Sequence, residues 1–152
     1  MIKILFICHG NICRSPMAEF MCKAKASELG IADKLYIESA ATSTEEIWNG
    51  VGNPVYPPAR EILNKHGIDC SGKRARQITV ADYDEFDLLI VMDRNNYRNA
   101  LRFWGSDPEH KIHMMLEYAG LDRDVADPWY TGNFQSTWDD ISAGLNGLLS
   151  QL

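Results

Sequence analysis

The stretch that decides the fold is KILFICHGNICRSPMAEF, residues 3–20. It begins with a short apolar run, passes through a turn that holds two cysteines, a glycine and an arginine, and continues with apolar residues at helical spacing. In such a strand–loop–helix sequence, unpaired backbone N–H groups of the loop and first helical turn point inward, and the helix dipole adds partial positive charge. The loop is therefore predicted to be an anion cage of the kind that binds phosphate.

Apolar runs alternate with helical patterns along the rest of the chain. Ser15 and Pro16 are expected to start the first helix, as its N-cap and a first-turn proline, and Gly30 to end it. Strands are predicted over residues 2–7, 35–41, 88–92 and 111–114, and further helices from Pro57 to Gly67, around Tyr97–Trp104 and from Phe134 to Leu148. This alternation predicts an α/β fold, a three-layer sandwich of a parallel sheet with helices on both faces. Ligands of such sheets bind beyond the carboxyl ends of the strands, where the cage lies.

Length, charge and cysteine use exclude several classes of protein. A chain of 152 residues is expected to form a single domain, residues 1–152, with a hydrophobic core of its own. The net charge of −6 and the lack of a basic run disfavour a nucleic acid or an anionic membrane as partner. The apolar run at the N-terminus is too short for a signal peptide or a membrane span. The four cysteines lack the spacing of a secreted scaffold, so a cytoplasmic protein with reduced thiols is expected.

The side chains of the cage suit phosphoryl transfer. Arg14 can place a bidentate fork on two phosphate oxygens. Cys8 would lie beneath the bound anion, where the positive field favours the nucleophilic thiolate, and Ser15 can donate a hydrogen bond to that sulfur when it leaves. Gly10 allows a tight backbone path, and Asn11 tolerates left-handed geometry. The loop therefore predicts transfer through a phosphocysteine, with no metal and no cofactor required.

The spacing Cys-x5-Arg occurs a second time, in CSGKRAR, residues 70–76. This copy follows the charged, turn-rich NKHGID instead of an apolar strand, and Gln77 follows it instead of Ser-Pro and a helix. We therefore assign the second match to chance.

The motif ICHGNICRSPMAE, residues 7–19, closely resembles the signature of the low-molecular-weight protein tyrosine phosphatases. The similarity continues through SAATSTEEI (39–47), GNPV (52–55), ARQIT (75–79), VMDRNN (91–96) and DPWY (127–130). The resemblance implies a flavodoxin-like phosphatase fold with a four-stranded parallel sheet of order 2-1-3-4. It also implies metal-independent hydrolysis of phosphotyrosine in a protein, or of a small aryl phosphate, and we expect a monomer or a weak dimer.

The resemblance also assigns roles to individual residues. Asp127 is the general acid that protonates the tyrosyl oxygen and later accepts a proton from the hydrolytic water, although from the sequence alone Asp-Pro indicates only a turn. Trp129 and Tyr130 are aromatic walls for the phenyl ring, with tryptophan at a position where the family commonly has tyrosine. The residues expected to surround the phosphate are His9, Gly10, Asn11, Ile12, Cys13, Arg14 and Ser15.

Three further expectations concern the surroundings of the cage. By resemblance, Asn11 and Ser39 hydrogen-bond to each other and hold the loop rigid. Cys13 is expected to be a small buried residue, and the family's redox chemistry adds a reversible disulfide between Cys13 and Cys8. His9 is interpreted as a rim residue that tunes substrate preference.

The largest departure from the family is WNGV, residues 48–51, which is inserted on the loop that usually contributes an aromatic side chain to the substrate pocket. Trp48 has two interpretations: it replaces that aromatic wall of the pocket, or it packs against the core. Glu45 stands near the place of the family's aromatic residue, so this wall is expected to be unusually polar.

Four other functions share some of these features, and the sequence fits each of them less well. An arsenate reductase of the same fold needs two more cysteines in the region of residues 78–95, which contains none. Phosphoarginine phosphatases share the loop but have threonine where this chain has Ile12. A phosphate-binding module without catalysis would need neither Cys8 nor Asp127. A zinc site made of Cys8, His9 and Cys13 has poor ligand spacing and no second cysteine pair.

Overall fold

The chain forms an α/β sandwich in the order that the alternation of strands and helices predicts. The computed structural model describes residues 1–152. The strands are β1 (Ile2–Cys8), β2 (Leu35–Ala41), β3 (Ile47–Trp48), β4 (Val51–Gly52), β5 (Leu88–Val91) and β6 (Ile112–Met114). The α-helices are α1 (Arg14–Glu28), α2 (Pro57–Lys65), α3 (Asp82–Glu85), α4 (Arg94–Trp104), α5 (Pro128–Thr131) and α6 (Phe134–Ser150). Short 3₁₀ helices cover Ala32–Lys34 and Met115–Ala119.

The central sheet has the order β2-β1-β5-β6, and all of its pairings are parallel. Strands β3 and β4 form a separate antiparallel hairpin. Without that hairpin the order is the predicted 2-1-3-4, so the fold class is confirmed. The direction of the strand order reverses between β1 and β5, and the loop after β1 therefore lies at the switch point where such sheets bind ligands.

The two faces of β1 bury its side chains in different halves of the core. Ile4, Phe6 and Cys8 contribute to the cluster that also contains residues of α1, α2 and α6. Leu5 and Ile7 contribute to the cluster on the opposite face, which includes residues of α3 and α4. Successive side chains of a strand point to opposite faces. Cys8 consequently ends β1 on the side of the sheet covered by α1.

The start of α1 differs from the prediction. The helix begins at Arg14, its N-cap is Cys13, and no side chain caps it. Ser15 is therefore not the N-cap; it lies inside the first turn, where its hydroxyl is used by Cys8 and Asn11. Pro16 tolerates this position because the first-turn N–H groups have no intrahelical partner.

The inserted segment forms a hairpin. Asn49 and Gly50 connect β3 to β4, and both have positive φ, 50° and 76°, as a two-residue turn of type I′ requires. Trp48 is 75% exposed, so the interpretation that it packs against the core is wrong. A tryptophan that opposes Val51 in a two-residue pair at the tip of a hairpin has no neighbouring core to enter.

No helix of the structure combines the length and the hydropathy that crossing a membrane would require. No group of three or more His, Cys, Asp or Glu side chains is placed to hold a metal ion.

Candidate active site

The cage begins where β1 ends, with the sulfur of Cys8 at its floor. The backbone N–H of Asn11 donates to Sγ of Cys8 at 3.3 Å, and Oγ of Ser15 lies 3.0 Å from the same sulfur. Asn11 has the predicted left-handed backbone, with φ 60°. Gly10 does not; a Cβ there would lie 3.1 Å from Cγ of Glu46, a tight contact that would require the side chain of Glu46 to shift. One backbone donor therefore points at the sulfur, and the hydroxyl of Ser15 is placed to donate a second hydrogen bond to a thiolate.

A buried chain of hydrogen bonds supports the loop from behind. Nδ2 of Asn11 donates to Oγ of Ser15 at 2.8 Å and to Oγ of Ser39 at 2.9 Å. The amide oxygen of Asn11 accepts the backbone N–H of Arg76 at 3.1 Å. The structure thus shows the contact between Asn11 and Ser39 that the resemblance implies, and it adds Ser15 to the same network.

Glu19 is the last member of this hydrogen-bond network, and its role was not predicted from the sequence. It is buried, accepts the hydroxyl of Ser39 at 2.6 Å, and forms ion pairs with Lys23 at 2.6 Å and Lys73 at 3.3 Å. Burial lowers the pKa of Lys73, although the carboxylate of Glu19 opposes that shift. Lys73 also donates to the carbonyl of Ser39 at 2.9 Å. Buried charges need such partners, and here their pairing also fixes the orientation of Ser39.

Arg14 is 3% exposed and is held in place by two acceptors. Its Nη1 donates to Oδ2 of Asp93 and to the carbonyl of Val125, each at 2.8 Å. Nη2 also lies 3.5 Å from Oδ2 of Asp127, so Nε–H and the second N–H of Nη2 remain as the fork for a phosphate. Burial acts to lower the pKa of Arg14, but Cys8, Asp93 and Asp127 outweigh it and raise that pKa, so the guanidinium stays charged.

Asp93 is a second residue that sequence reasoning missed. It lies two residues after the end of β5, and its other oxygen caps α4 by accepting the N–H of Asn96 at 2.7 Å. The available signal was its place in VMDRNN, because the carboxyl end of β5 adjoins that of β1. One carboxylate thus anchors both α4 and the arginine of the cage.

Asp127 lies across the cavity from Cys8 and caps α5. Its Oδ1 accepts the N–H of Trp129 at 3.0 Å, and its Oδ2 lies 3.5 Å from Nη2 of Arg14. The Asp-Pro sequence therefore forms the turn that it indicates, and the same turn aims one carboxyl oxygen toward the cage. The three residues predicted to be catalytic come together in the structure.

These groups surround a cavity of about 170 Å³, here called the catalytic cavity. It is lined by Cys8, His9, Gly10, Ile12, Cys13, Arg14, Glu45, Glu46, Asp127, Trp129 and Tyr130. Asn11 in the loop and Ser15 in the first turn of α1 direct their side chains into the hydrogen-bond network, and neither residue is part of the cavity wall. Trp48 is not part of the wall either, which contradicts the prediction that it replaces the family's aromatic residue. Glu46, which was not predicted, takes a place on that wall beside Glu45.

Of the two aromatic residues that form one wall of the catalytic cavity, Trp129 packs against other side chains and Tyr130 does not. The ring of Trp129 packs against that of Tyr56, with centroids 4.8 Å apart, and Tyr56 in turn contacts Phe134 at 6.1 Å. Tyr130 is 85% exposed. Trp129 is therefore a supported surface for a phenyl ring, whereas Tyr130 stands free at the edge.

The rim opposite the aromatic wall is charged. Nε2 of His9 lies 2.8 Å from a carboxylate oxygen of Glu45, and both side chains are substantially exposed. This places His9 at the rim, as interpreted from the sequence, and gives it an acidic partner.

The four cysteines are free and buried. Burial raises the pKa of Cys13 above its ordinary value, and the negative charge of Cys8 adds to the effect. Cys22 and Cys70 belong to the main core cluster, and no helix follows the second Cys-x5-Arg match directly. Cys8 is therefore the one cysteine that both lines the cavity and takes part in two hydrogen bonds through its sulfur.

Comparison with known proteins agrees with this geometry. Residues 3–152 match the sequence profile of the family described as low molecular weight phosphotyrosine protein phosphatase. The low molecular weight protein-tyrosine-phosphatase YfkJ of Bacillus subtilis is 38% identical over 154 residues, covering 100% of this chain and 96% of the relative. Its crystal structure superposes with a TM-score of 0.93 and covers 99% of this chain and 94% of that one.

Two further solved structures show how widely the fold is shared. The low molecular weight protein tyrosine phosphatase SP-PTP of Streptococcus pyogenes is 39% identical, with a TM-score of 0.86 and coverage of 100% of this chain and 93% of that one. The Drosophila arginine phosphatase DARP is 26% identical, with a TM-score of 0.86 and coverage of 99% and 97%. The shared fold thus accommodates proteins named for two different phosphorylated residues.

Proposed function

We propose that this chain, which belongs to the low molecular weight phosphotyrosine protein phosphatase family, hydrolyses phosphotyrosine through a phosphocysteine. Cys8, Arg14 and Asp127 are the catalytic residues of this reaction. The observation that carries this assignment is the meeting of all three side chains at one cavity. A thiol at the floor, a fixed guanidinium and a carboxyl group on a separate turn are the parts that the reaction needs.

In the first step the thiolate of Cys8 attacks phosphorus, forming an S–P bond as the bond to the tyrosyl oxygen breaks. Nε and Nη2 of Arg14, with the N–H groups of the loop, balance the charge on the phosphoryl oxygens. Asp127, protonated, gives its proton to the leaving tyrosyl oxygen. Asp93 and the carbonyl of Val125 keep the fork of Arg14 in the required direction.

In the second step water attacks the phosphocysteine, and the S–P bond breaks. Asp127, now a carboxylate, takes a proton from that water. The returning thiolate is stabilised by the hydroxyl of Ser15 and the N–H of Asn11, which lie 3.0 Å and 3.3 Å from the sulfur. Atoms balance without a metal or a cofactor, since water and one phosphate monoester yield tyrosine and inorganic phosphate.

The experiment compares aryl phosphates of different leaving-group quality, in the presence of a chelator. Cys8→Ser should abolish turnover of every substrate. Asp127→Asn should slow phenyl phosphate about 100-fold or more, because a poor leaving group needs the proton, and should slow p-nitrophenyl phosphate much less. Asp139→Asn, an exposed aspartate on α6 far from the cage, is the matched control. An equal loss for both substrates would refute the general-acid assignment.

Phosphoarginine is the alternative substrate within this fold. Ile12 lines the catalytic cavity and is largely buried, and an apolar side chain there suits a phenyl ring better than a guanidinium. We therefore expect kcat/KM for a phosphotyrosine peptide to exceed that for the matching phosphoarginine peptide. The opposite order would reassign the substrate while leaving the roles of Cys8 and Arg14 in place.

We further propose that the protein works in the cytoplasm as a single domain, and as a monomer or a weak dimer. All catalytic groups come from one chain, so a monomer has a complete site. The four unpaired cysteines suit a reducing compartment. Light scattering over a range of protein concentrations measures the oligomeric state.

A further inference from the structure

A second groove adjoins the catalytic cavity and shares two of its residues. It has a volume of about 460 Å³ and is here called the flanking groove. Ile12 and Glu46 line both spaces, so a ligand can pass from one to the other without leaving the surface. A phosphotyrosine in the catalytic cavity would bring neighbouring residues of its polypeptide to this groove.

Glu46 lies where the flanking groove meets the catalytic cavity, and its negative charge is not paired with a cation of the chain. It is half-buried, and its carboxylate has no ion pair and no hydrogen bond with the rest of the chain, whereas the adjacent Glu45 is paired with His9 at 2.8 Å. The position of Glu46 is constrained, because its Cγ packs over Gly10. A partly desolvated carboxylate without a partner gains from the approach of a cation.

The remaining walls of the flanking groove fit a long cationic side chain. Ile12, Tyr56 and Pro57 offer apolar surface, and Glu61 adds a second carboxylate at the exposed edge. Lysine and arginine bury an aliphatic stem on such surface while the charged head reaches an acid. The ring of Tyr56 can also accept a cation over its face.

Arg60 is the one cation that lines the groove. It is exposed and forms no ion pair with the chain, so it does not neutralise Glu46. Two carboxylates against one guanidinium leave the groove with a net negative charge. An acidic substrate residue would meet Glu46 first, at the point where the groove leaves the catalytic cavity.

We propose that the flanking groove binds a residue next to phosphotyrosine in the substrate polypeptide, and that Glu46 selects lysine or arginine there. This inference rests on the proposed phosphotyrosine hydrolysis, because the catalytic cavity must hold the phosphorylated residue first. It assigns the protein a sequence preference: basic residues beside the phosphotyrosine are favoured, and acidic ones are disfavoured.

The test uses phosphotyrosine peptides with an all-alanine flank and variants with Lys, Arg or Glu at each adjacent position. In the wild type, Lys or Arg on one side should raise kcat/KM by about two- to fivefold over alanine, the range of a partly exposed ion pair, and Glu should lower it. The preference should shrink as salt is added. Glu46→Gln should bring the Lys-to-Ala ratio close to one.

Two matched variants make the comparison specific. Glu28→Gln removes an exposed carboxylate at the far end of α1 and should keep the wild-type ratio. Arg60→Gln removes the competing cation from the groove and should keep or increase that ratio. A wild type indifferent to the flanking charge, or a Glu46→Gln variant that retains the full ratio, would overturn the inference while leaving the proposed function standing. Failure to hydrolyse any of the peptides would overturn the proposed function and the inference together.

Discussion

Replacing Asp93 by asparagine separates the charge that holds Arg14 from the shape of the side chain. In the native protein one carboxylate oxygen accepts from Nη1 of Arg14 at 2.8 Å, and the other accepts the N–H of Asn96 at 2.7 Å. An amide has a single acceptor oxygen. The variant must therefore turn an NH₂ group toward one of these two donors, so it loses either the cap of α4 or the anchor of Arg14.

The expected size of the effect follows from the burial of the pair. Arg14 is 3% exposed and the side chain of Asp93 16%, so solvent replaces the lost contact poorly. A hydrogen bond to a charged group contributes about 1.5–3 kcal/mol, which corresponds to a fall of roughly 10- to 100-fold in kcat/KM. Both kcat and KM should change, because the guanidinium contacts the phosphoryl group in the ground state and in the transition state. Arg14→Ala should lose more, since the asparagine variant keeps the cation.

The assay is steady-state hydrolysis of p-nitrophenyl phosphate, with affinity for inorganic phosphate measured by calorimetry and Tm measured alongside. Asp122→Asn is the matched control, because Asp122 pairs with Arg94 at 2.9 Å but is fully exposed and outside the cage. The control should stay within about twofold of the wild type, as exposed ion pairs do. A lower Tm for Asp93→Asn with unchanged kcat/KM and phosphate affinity would refute the reasoning, since Asp93 would then act only as a helix cap.

Two more predictions concern the sulfur chemistry. Ser15→Ala should lower kcat by roughly 10- to 100-fold, because the thiolate loses a hydrogen bond both as nucleophile and as leaving group. Rapid-quench measurement should show that both the formation and the breakdown of the phosphoenzyme are slowed. If neither step is slower than in the wild type, the role of Ser15 is refuted. Iodoacetamide should label Cys8 first, and inorganic phosphate should protect it. Burial raises the pKa of Cys13 and raises that of Cys22 to about 12, so at neutral pH both stay protonated and unlabelled until the protein unfolds. Early labelling of either one in peptide mass spectra would count against the structure.

The fold could be predicted from the sequence because each strand and helix carries a local signal. The apolar run of residues 2–7 and the helical spacing after it describe β1 and α1 without reference to the rest of the chain, and Leu35–Ala41 matches β2 at both ends. Predicted strand ends elsewhere differ by one residue, as is usual where the ends of an element fray. The start of α1 was misplaced because Ser15 has the residue type of an N-cap, whereas in the structure it lies two residues after the N-cap, inside the first turn, where its hydroxyl reaches the sulfur of Cys8.

The site residues within the loop after β1 could be predicted from the sequence, whereas the residues that support them through contacts of the folded chain could not. Cys8 and Arg14 lie within seven contiguous residues, and their spacing together with the preceding strand and the following helix indicates an anion cage; spacing alone does not, as residues 70–76 show. Asp93 reaches that cage from another part of the chain, and Glu19, although it lies in α1 shortly after the loop, acts through Ser39 on the neighbouring strand. The residue type and local sequence of these two acids do not by themselves assign such roles. Trp48 was wrongly predicted for a different reason. A large hydrophobic residue in an insertion suggests either a pocket wall or a core position, and only the geometry of the hairpin shows that it occupies neither.

The charges around the cage explain how an acidic protein can bind a phosphate dianion. The full positive charge of Arg14 is already matched by Asp93 at 2.8 Å, and Asp127 stands 3.5 Å away on the other side. With a thiolate at Cys8, the side chains alone would repel the substrate. The attraction therefore depends on oriented backbone N–H groups of the loop and of the first turn of α1, whose dipoles are fixed before the substrate arrives and add to the fork of Arg14. This also accounts for the buried network behind the loop: the side chains of Asn11, Ser39 and Glu19 do not line the catalytic cavity, yet they hold the backbone of the loop in place.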